Sequence, residues 1–105
     1  MFQHMNIQQL SDLMDSETPV HIVDIRDPQS FTAGHIINAT ALDNSNVPAF
    51  IANTKKDESV VVCCYHGNSS QGAAQFLFEQ GFVNVYSLDG GFEMWKVSQP
   101  DKVER

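Results

Sequence analysis

The 105 residues suffice for one domain and no more. Hydrophobic residues make up 42% and charged residues 18%, a globular balance that excludes disordered and fibrous classes. Six basic residues against thirteen acidic ones leave a net charge of −7, without the basic footprint that nucleic acid or an anionic membrane would need.

The chain opens with Met1-Phe2-Gln3-His4-Met5, neither basic nor continuously apolar. No export signal is therefore expected, and the cytoplasm is the default compartment. No later apolar run approaches the roughly 18 residues of a membrane span. Asn6 with Gln9 three residues on predicts a capping box, followed by a helix with Ile7, Leu10, Leu13 and Met14 on one face. Thr18-Pro19 ends it. Val20–Ile25 is β-branched and reads as a buried strand. Asp27-Pro28 predicts an N-cap and first helical residue, and Gly34 stops that short helix over 28–33. Ala39–Leu42 is a brief strand. Asn46 is expected to cap a helix carrying Val47, Phe50 and Ile51, and Lys55-Lys56-Asp57-Glu58 to form a solvated turn.

Ser59-Val60-Val61-Val62-Cys63-Cys64 is the strongest strand signal. A polar loop follows, Tyr65-His66-Gly67-Asn68-Ser69-Ser70, then a helix over Gln71–Gln80 with Gly81 as its stop. Asn84–Leu88 is a last strand. Asp89-Gly90-Gly91 turns into a short helix with Phe92 and Trp95, and the polar tail Ser98–Arg105 is expected to fray. Strands alternate with helices, and the strands' apolar runs are nearly continuous. That pattern predicts a single α/β domain over residues 1–105, with a central parallel sheet of about five strands and helices on both faces.

In such folds sites form at the carboxyl ends of strands. The best strand ends at Cys64, before a loop of small, turn-forming residues and a helix N-terminus. Such a loop can turn several N–H groups inward as an anion nest, and the helix end adds partial positive charge. A thiol placed there has a lowered pKa and suits nucleophilic attack. Two other readings stand beside this one: Cys64 as a small buried apolar residue, and a strained disulfide between the neighbours Cys63 and Cys64. Cys63, at the penultimate strand position, reads as a core residue. His66 offers an acid, a base or a fixed donor, or simply points into solvent. Asn68, Ser69 and Ser70 are candidate donors to an anion, or ordinary turn and cap residues. Two adjacent cysteines cannot staple the fold, and His4, His21, His35 and His66 are scattered, so no metal site is expected.

Two spacings exclude related chemistries. A loop that grips phosphate with a guanidinium needs Arg after the cysteine and about five intervening residues, and Ser70 stands there instead. A Cys-x-x-Cys redox site needs a second cysteine where the chain has Gly67.

Three motifs together resemble the rhodanese family. The first is Ile22-Val23-Asp24-Ile25-Arg26-Asp27-Pro28, leading through Phe31 to Gly34-His35-Ile36. The second is the loop Cys64 to Ser70, and the third is Leu88-Asp89-Gly90-Gly91-Phe92 with Trp95. They lie in order within residues 20–95. Ser69 replaces the arginine of the commoner family loop, a feature shared by one group of single-domain members. The resemblance implies a sulfurtransferase acting by double displacement. Cys64 would take the outer sulfur of thiosulfate as a persulfide, release sulfite, and pass the sulfur to cyanide or to a dithiol acceptor such as thioredoxin. Tyr65, His66, Gly67, Asn68, Ser69 and Ser70 would form the substrate loop. No cofactor is implied, and no nucleic-acid or membrane partner. Asp24, Arg26, Gly34 and His35 are implied to be architecture. The alternatives are a persulfide carrier fed by another donor and a rhodanese-like regulatory or binding module.

Overall fold

A computed structural model describes residues 1–105. The first half comprises β1 (Gln3–Met5), α1 (Ile7–Asp15), β2 (Val20–Asp24), α2 (Pro28–Ala33), β3 (His35–Ile36), β4 (Thr40–Ala41) and α3 (Val47–Asn53). The second comprises β5 (Ser59–Cys63), α4 (Ser69–Glu79), β6 (Val85–Leu88), α5 (Gly91–Ser98), a 3-10 turn (Pro100–Lys102) and β7 (Val103–Glu104). Five strands form one parallel sheet in the order β1-β6-β5-β2-β4. The expected α/β class with a central parallel sheet is therefore observed.

The central strands are apolar on both faces because both faces are covered. Ile22, Val61 and Cys63 point to one side, where α1 and α5 bring Leu10, Phe92 and Trp95. Val23, Val60 and Val62 point to the other, against Ala74 and Leu77 of α4 and Phe50 of α3. Each fully buried side chain of this kind contributes roughly 1.5–3 kcal/mol. The local caps fall where the residues predict them. Asn6 Oδ1 accepts from Gln9 N at 2.7 Å while Asn6 N donates to Gln9 Oε1 at 2.8 Å. Asp27 Oδ2 accepts from Ser30 N at 3.1 Å, with Pro28 opening α2.

Asp24 and Arg26 tie the ends of β2 and α2 together. Arg26 Nη2 donates to Asp24 Oδ2 at 2.8 Å and to the Gly34 carbonyl at 2.6 Å, and Nε reaches both carboxylate oxygens at 3.1 Å. Both side chains are buried. The guanidinium also lies 4.2 Å from the centre of the Phe92 ring and 5.7 Å from that of Tyr65. Burial alone would lower the Arg26 pKa, but the Asp24 partnership outweighs it and holds the guanidinium charged. His35 stacks on Phe31 with ring centres 3.9 Å apart and meets Glu104 at 3.3 Å. Through these contacts Asp24, Arg26, Gly34 and His35 join the ends of β2 and α2 to β3 and β7.

Several local expectations need correction. The tail does not fray. Val103–Glu104 pairs antiparallel with His35–Ile36, Lys102 Nζ reaches Ser11 Oγ at 2.7 Å and Asp15 Oδ1 at 2.8 Å, and Arg105 Nε donates to the Ala33 carbonyl at 3.0 Å. Lys102 thus supplies a cation to the last turn of α1, which has none of its own. Asn46 does not cap α3 with its side chain. Its amide bridges Asp43 N and the Ala41 carbonyl, both at 2.8 Å, and so organises the preceding turn. The turn at 55–58 is only partly solvated. Lys56 Nζ donates to the Ile51 carbonyl at 2.5 Å near the C-terminus of α3 and sits 4.6 Å from the Phe82 ring centre, while Glu58 meets His21 at 2.7 Å.

Candidate active site

Cys64 is the first residue beyond β5 and is almost fully buried, at 3% exposure. The chain then turns through Tyr65–Asn68 into α4, which begins at Ser69, two residues earlier than the sequence suggests. The outer side of this turn is held by α5. Phe92 N donates to the Cys64 carbonyl at 2.8 Å, and Glu93 N donates to the Tyr65 carbonyl at 3.0 Å. A trans peptide directs its N–H opposite to its C=O. Pulling the Tyr65 carbonyl outward toward α5 therefore turns the His66 N–H inward.

The inward groups converge on sulfur. Gly67 N donates to Cys64 Sγ at 3.2 Å, and Ser70 N donates to it at 3.3 Å. The thiol in turn reaches Ser70 Oγ at 3.2 Å. Asn68 precedes α4 but makes no side-chain cap bond. Asn68 thus takes the N-cap position expected of one of these residues, but without the side-chain bond. Sulfur stands where a capping oxygen would stand, and the first-turn amides remain directed at it.

These contacts decide the thiol's ionisation. Burial opposes the thiolate. The Ser70 hydroxyl and the amides of Ser70, Gly67 and His66 outweigh that penalty, so the Cys64 pKa lies below the ordinary cysteine value. Its neighbour is driven the opposite way. Burial, then the charge of Asp24, pushes the Cys63 thiol far above its usual range, and Arg26 offsets only part of this. Cys63 faces the α1–α5 core, Cys64 faces the loop, and both are free thiols.

No other loop side chain hydrogen-bonds to sulfur. The Tyr65 hydroxyl donates to Asp27 Oδ1 and lies 2.9 Å from Ser30 Oγ, tying the loop to the start of α2. Tyr65 and Ser30 hold the Asp27 carboxyl down at about 2. His66, Asn68 and Ser69 are exposed, and His66 lines an open groove with Gly90, Glu93 and Met94. A cavity of about 730 Å³ lies beside the site, lined by Ile25, Phe31, Val47 and Phe76 but by none of the loop residues.

Sequence reasoning did not place two parts of the site. One is the α5 N-terminus, signalled by Gly90-Gly91 but legible only once α5 is seen to dock on the loop. The other is Ser87 of β6, whose hydroxyl lies 2.8 Å from Ser70 Oγ. Its signal is a lone serine in the apolar run Val85-Tyr86-Ser87-Leu88.

Comparison with known proteins identifies the family and the fold. Residues 6–98 match the family model described as "Rhodanese-like domain". The chain is 50% identical over 104 residues to a Pseudoalteromonas translucida protein named thiosulfate sulfurtransferase GlpE, covering 99% of this chain and 98% of that one. It is 50% identical over 99 residues to a Pseudomonas aeruginosa protein of the same name, covering 94% of this chain and 88% of that one. Among solved structures, the rhodanese-like domain of an Anabaena protein superposes with a TM-score of 0.85 at 26% identity, covering 99% of this chain and 80% of that one. A Staphylococcus saprophyticus protein at 23% identity superposes with a TM-score of 0.81, covering 99% of this chain and 100% of the other, and so shares the fold. With a family model matching residues 6–98 and a relative 50% identical over nearly its whole length, the chain belongs to the rhodanese family.

Proposed function

We propose that this chain is a thiosulfate sulfurtransferase in which Cys64 is the nucleophile. The observation that carries the reading is the convergence of the Gly67 and Ser70 amides and the Ser70 hydroxyl on one lowered-pKa thiol at a strand end. The names of the relatives supply the substrate class.

In the first step the Cys64 thiolate attacks the outer sulfur of thiosulfate. A new S–S bond forms, the sulfur–sulfur bond of thiosulfate breaks, and sulfite leaves with its bonding electron pair. The negative charge then rests on the terminal sulfur of a Cys64 persulfide, beneath the inward amides. In the second step cyanide attacks that sulfur, leaves as thiocyanate and restores the thiolate. A dithiol acceptor such as thioredoxin would take the sulfur as hydrogen sulfide while being oxidised to its disulfide, again restoring the thiolate. Tyr65 fixes the loop through Asp27. His66, Asn68 and Ser69, exposed on the same loop, would meet the substrate as it approaches.

A covalent intermediate formed with release of the first product requires ping-pong kinetics. Double-reciprocal plots for thiosulfate at several cyanide concentrations should be parallel, and thiosulfate alone should add the mass of one sulfur atom to the protein. Intersecting lines without that adduct would overturn the mechanism.

The loop contains no cationic side chain, and the chain's net charge is −7. Thiosulfate, a dianion, therefore gains little long-range steering. A cation about 8 Å from a dianion in high dielectric is worth roughly 1 kcal/mol, or about fivefold in affinity. Ser69→Arg should lower KM for thiosulfate by about that factor at low salt and by less at high salt. An unchanged KM at low ionic strength in a folded variant would mean that the backbone nest alone sets recognition.

A further inference from the structure

Ser87 is fully buried in β6, and its hydroxyl has one hydrogen-bond partner, Ser70 Oγ at 2.8 Å. Ser70 is equally buried, and its oxygen contacts Cys64 Sγ at 3.2 Å. The strand neighbours of Ser87 on the same face, Val85 of β6 and Val62 of β5, are apolar core residues. An alanine would fill that position without burying a hydroxyl. The only hydrogen-bond partner of the hydroxyl there is the group that contacts the nucleophile. We propose that Ser87 is a positioning residue for Cys64, holding the Ser70 hydroxyl so that its proton points at sulfur when the thiolate forms.

The three groups form a chain with two directions. With Cys64 neutral, its S–H donates to Ser70 Oγ and the Ser70 hydroxyl donates to Ser87 Oγ. When the thiol proton leaves for solvent, both hydroxyls rotate. Ser87 then donates to Ser70, and Ser70 donates to the thiolate. No proton passes between the oxygens. Accepting from Ser87 polarises the Ser70 O–H and strengthens its bond to sulfur. The same state re-forms each time an acceptor removes the persulfide sulfur.

The inference rests on the reading of Cys64 as the nucleophile, but its test does not need thiosulfate. The Cys64 pKa is read from the pH dependence of iodoacetamide alkylation, with the adduct located by tandem mass spectrometry. The variants are Ser87→Ala, Ser70→Ala and the double variant. Other charged or titratable groups around the loop are the Asp24–Arg26 pair, Tyr65, His66, Cys63, Glu93 and Lys96. They are common to all four proteins, so their effects cancel in the cycle.

Ser70→Ala should raise the Cys64 pKa by about 1, because it removes a hydrogen bond to the charged form. Ser87→Ala should raise it by about 0.3–0.5, through the weakened Ser70 bond. In the Ser70→Ala background, Ser87→Ala should leave the pKa unchanged. Thermal stability should show an inversion. Ser87→Ala lowers Tm in the parent, but not in the Ser70→Ala background, where it removes an orphaned buried hydroxyl. A Cys64 pKa unaffected by Ser87→Ala, or raised equally in both backgrounds, would overturn the positioning role of Ser87. Thiosulfate-dependent sulfur loading of the parent, measured alongside, tests the sulfurtransferase reading separately.

Discussion

Cys64→Ser is expected to abolish both the sulfur adduct and turnover, with a loss of about 10³-fold or more in kcat. A serine hydroxyl in the same nest remains protonated at neutral pH, and oxygen does not form the stable sulfur-bound intermediate that the second step needs. The amides of Gly67 and Ser70 would still face the site, so thiosulfate binding should survive the loss of chemistry.

The adjacent cysteine provides the internal comparison. Cys63 is fully buried against the α1–α5 core, with its thiol pushed far above the usual range by burial and by Asp24. Its sulfur donates only to the Cys64 carbonyl, at 3.5 Å. Cys63→Ser should keep adduct and turnover while costing roughly 1–3 kcal/mol of stability, because a hydroxyl replaces a thiol in an apolar site. Intact mass before and after thiosulfate, with the modified residue located by fragmentation, decides between the two. Sulfur found on Cys63, or loading that persists in Cys64→Ser, would reverse the assignment.

What could be read from the chain was whatever is decided by near neighbours. The capping box at Asn6–Gln9, the Asp27-Pro28 helix start and the β-branched runs of β2 and β5 are all local, and all are observed. The position of Cys64 at a strand end before a polar loop follows from the same local signals. Elements made by distant partners were not legible. Gln3-His4-Met5 has no strand pattern of its own and becomes β1 only by pairing with Tyr86–Leu88. Val103-Glu104 becomes β7 only because His35–Ile36 offers an edge. The cap of α4 is legible in position but not in chemistry. Asn68 is a good capping residue by type, but the sulfur of Cys64 already occupies the place its side chain would take. Ser87 belongs to the same class, since its role lies wholly in a contact with Ser70 across 17 residues of chain.

Gly91→Ala should dismantle the sulfur nest without touching any group in contact with sulfur. Gly91 has φ of +58°, in the left-handed region that costs other residues about 1–2 kcal/mol. A Cβ there would lie 2.5 Å from the Tyr65 carbonyl oxygen and 2.6 Å from that of Cys64. These are the two carbonyls that accept from Glu93 N and Phe92 N. The obstruction is backbone, so no side-chain rotation relieves it. Either α5 retreats or the Cys64 and Tyr65 peptides rotate, and rotation of the second carries the His66 N–H away from Sγ. Displacement of a catalytic group by about 1 Å can cost 10²-fold, so kcat/KM for thiosulfate should fall by about that factor or more. The Cys64 pKa should rise toward the ordinary thiol value as the amides withdraw. Gly72 gives the contrast within the same region. A Cβ there meets nothing within 4 Å, and the residue sits on the exposed side of α4. Gly72→Ala should raise stability by about 0.5–1 kcal/mol and leave turnover unchanged. Alkylation pH profiles and steady-state kinetics on the two variants test the claim together. If Gly91→Ala folds and keeps both the parent pKa and the parent kcat/KM, the α5 clamp does not orient the loop, and the nest must hold its shape through Gly67 and the first turn of α4 alone.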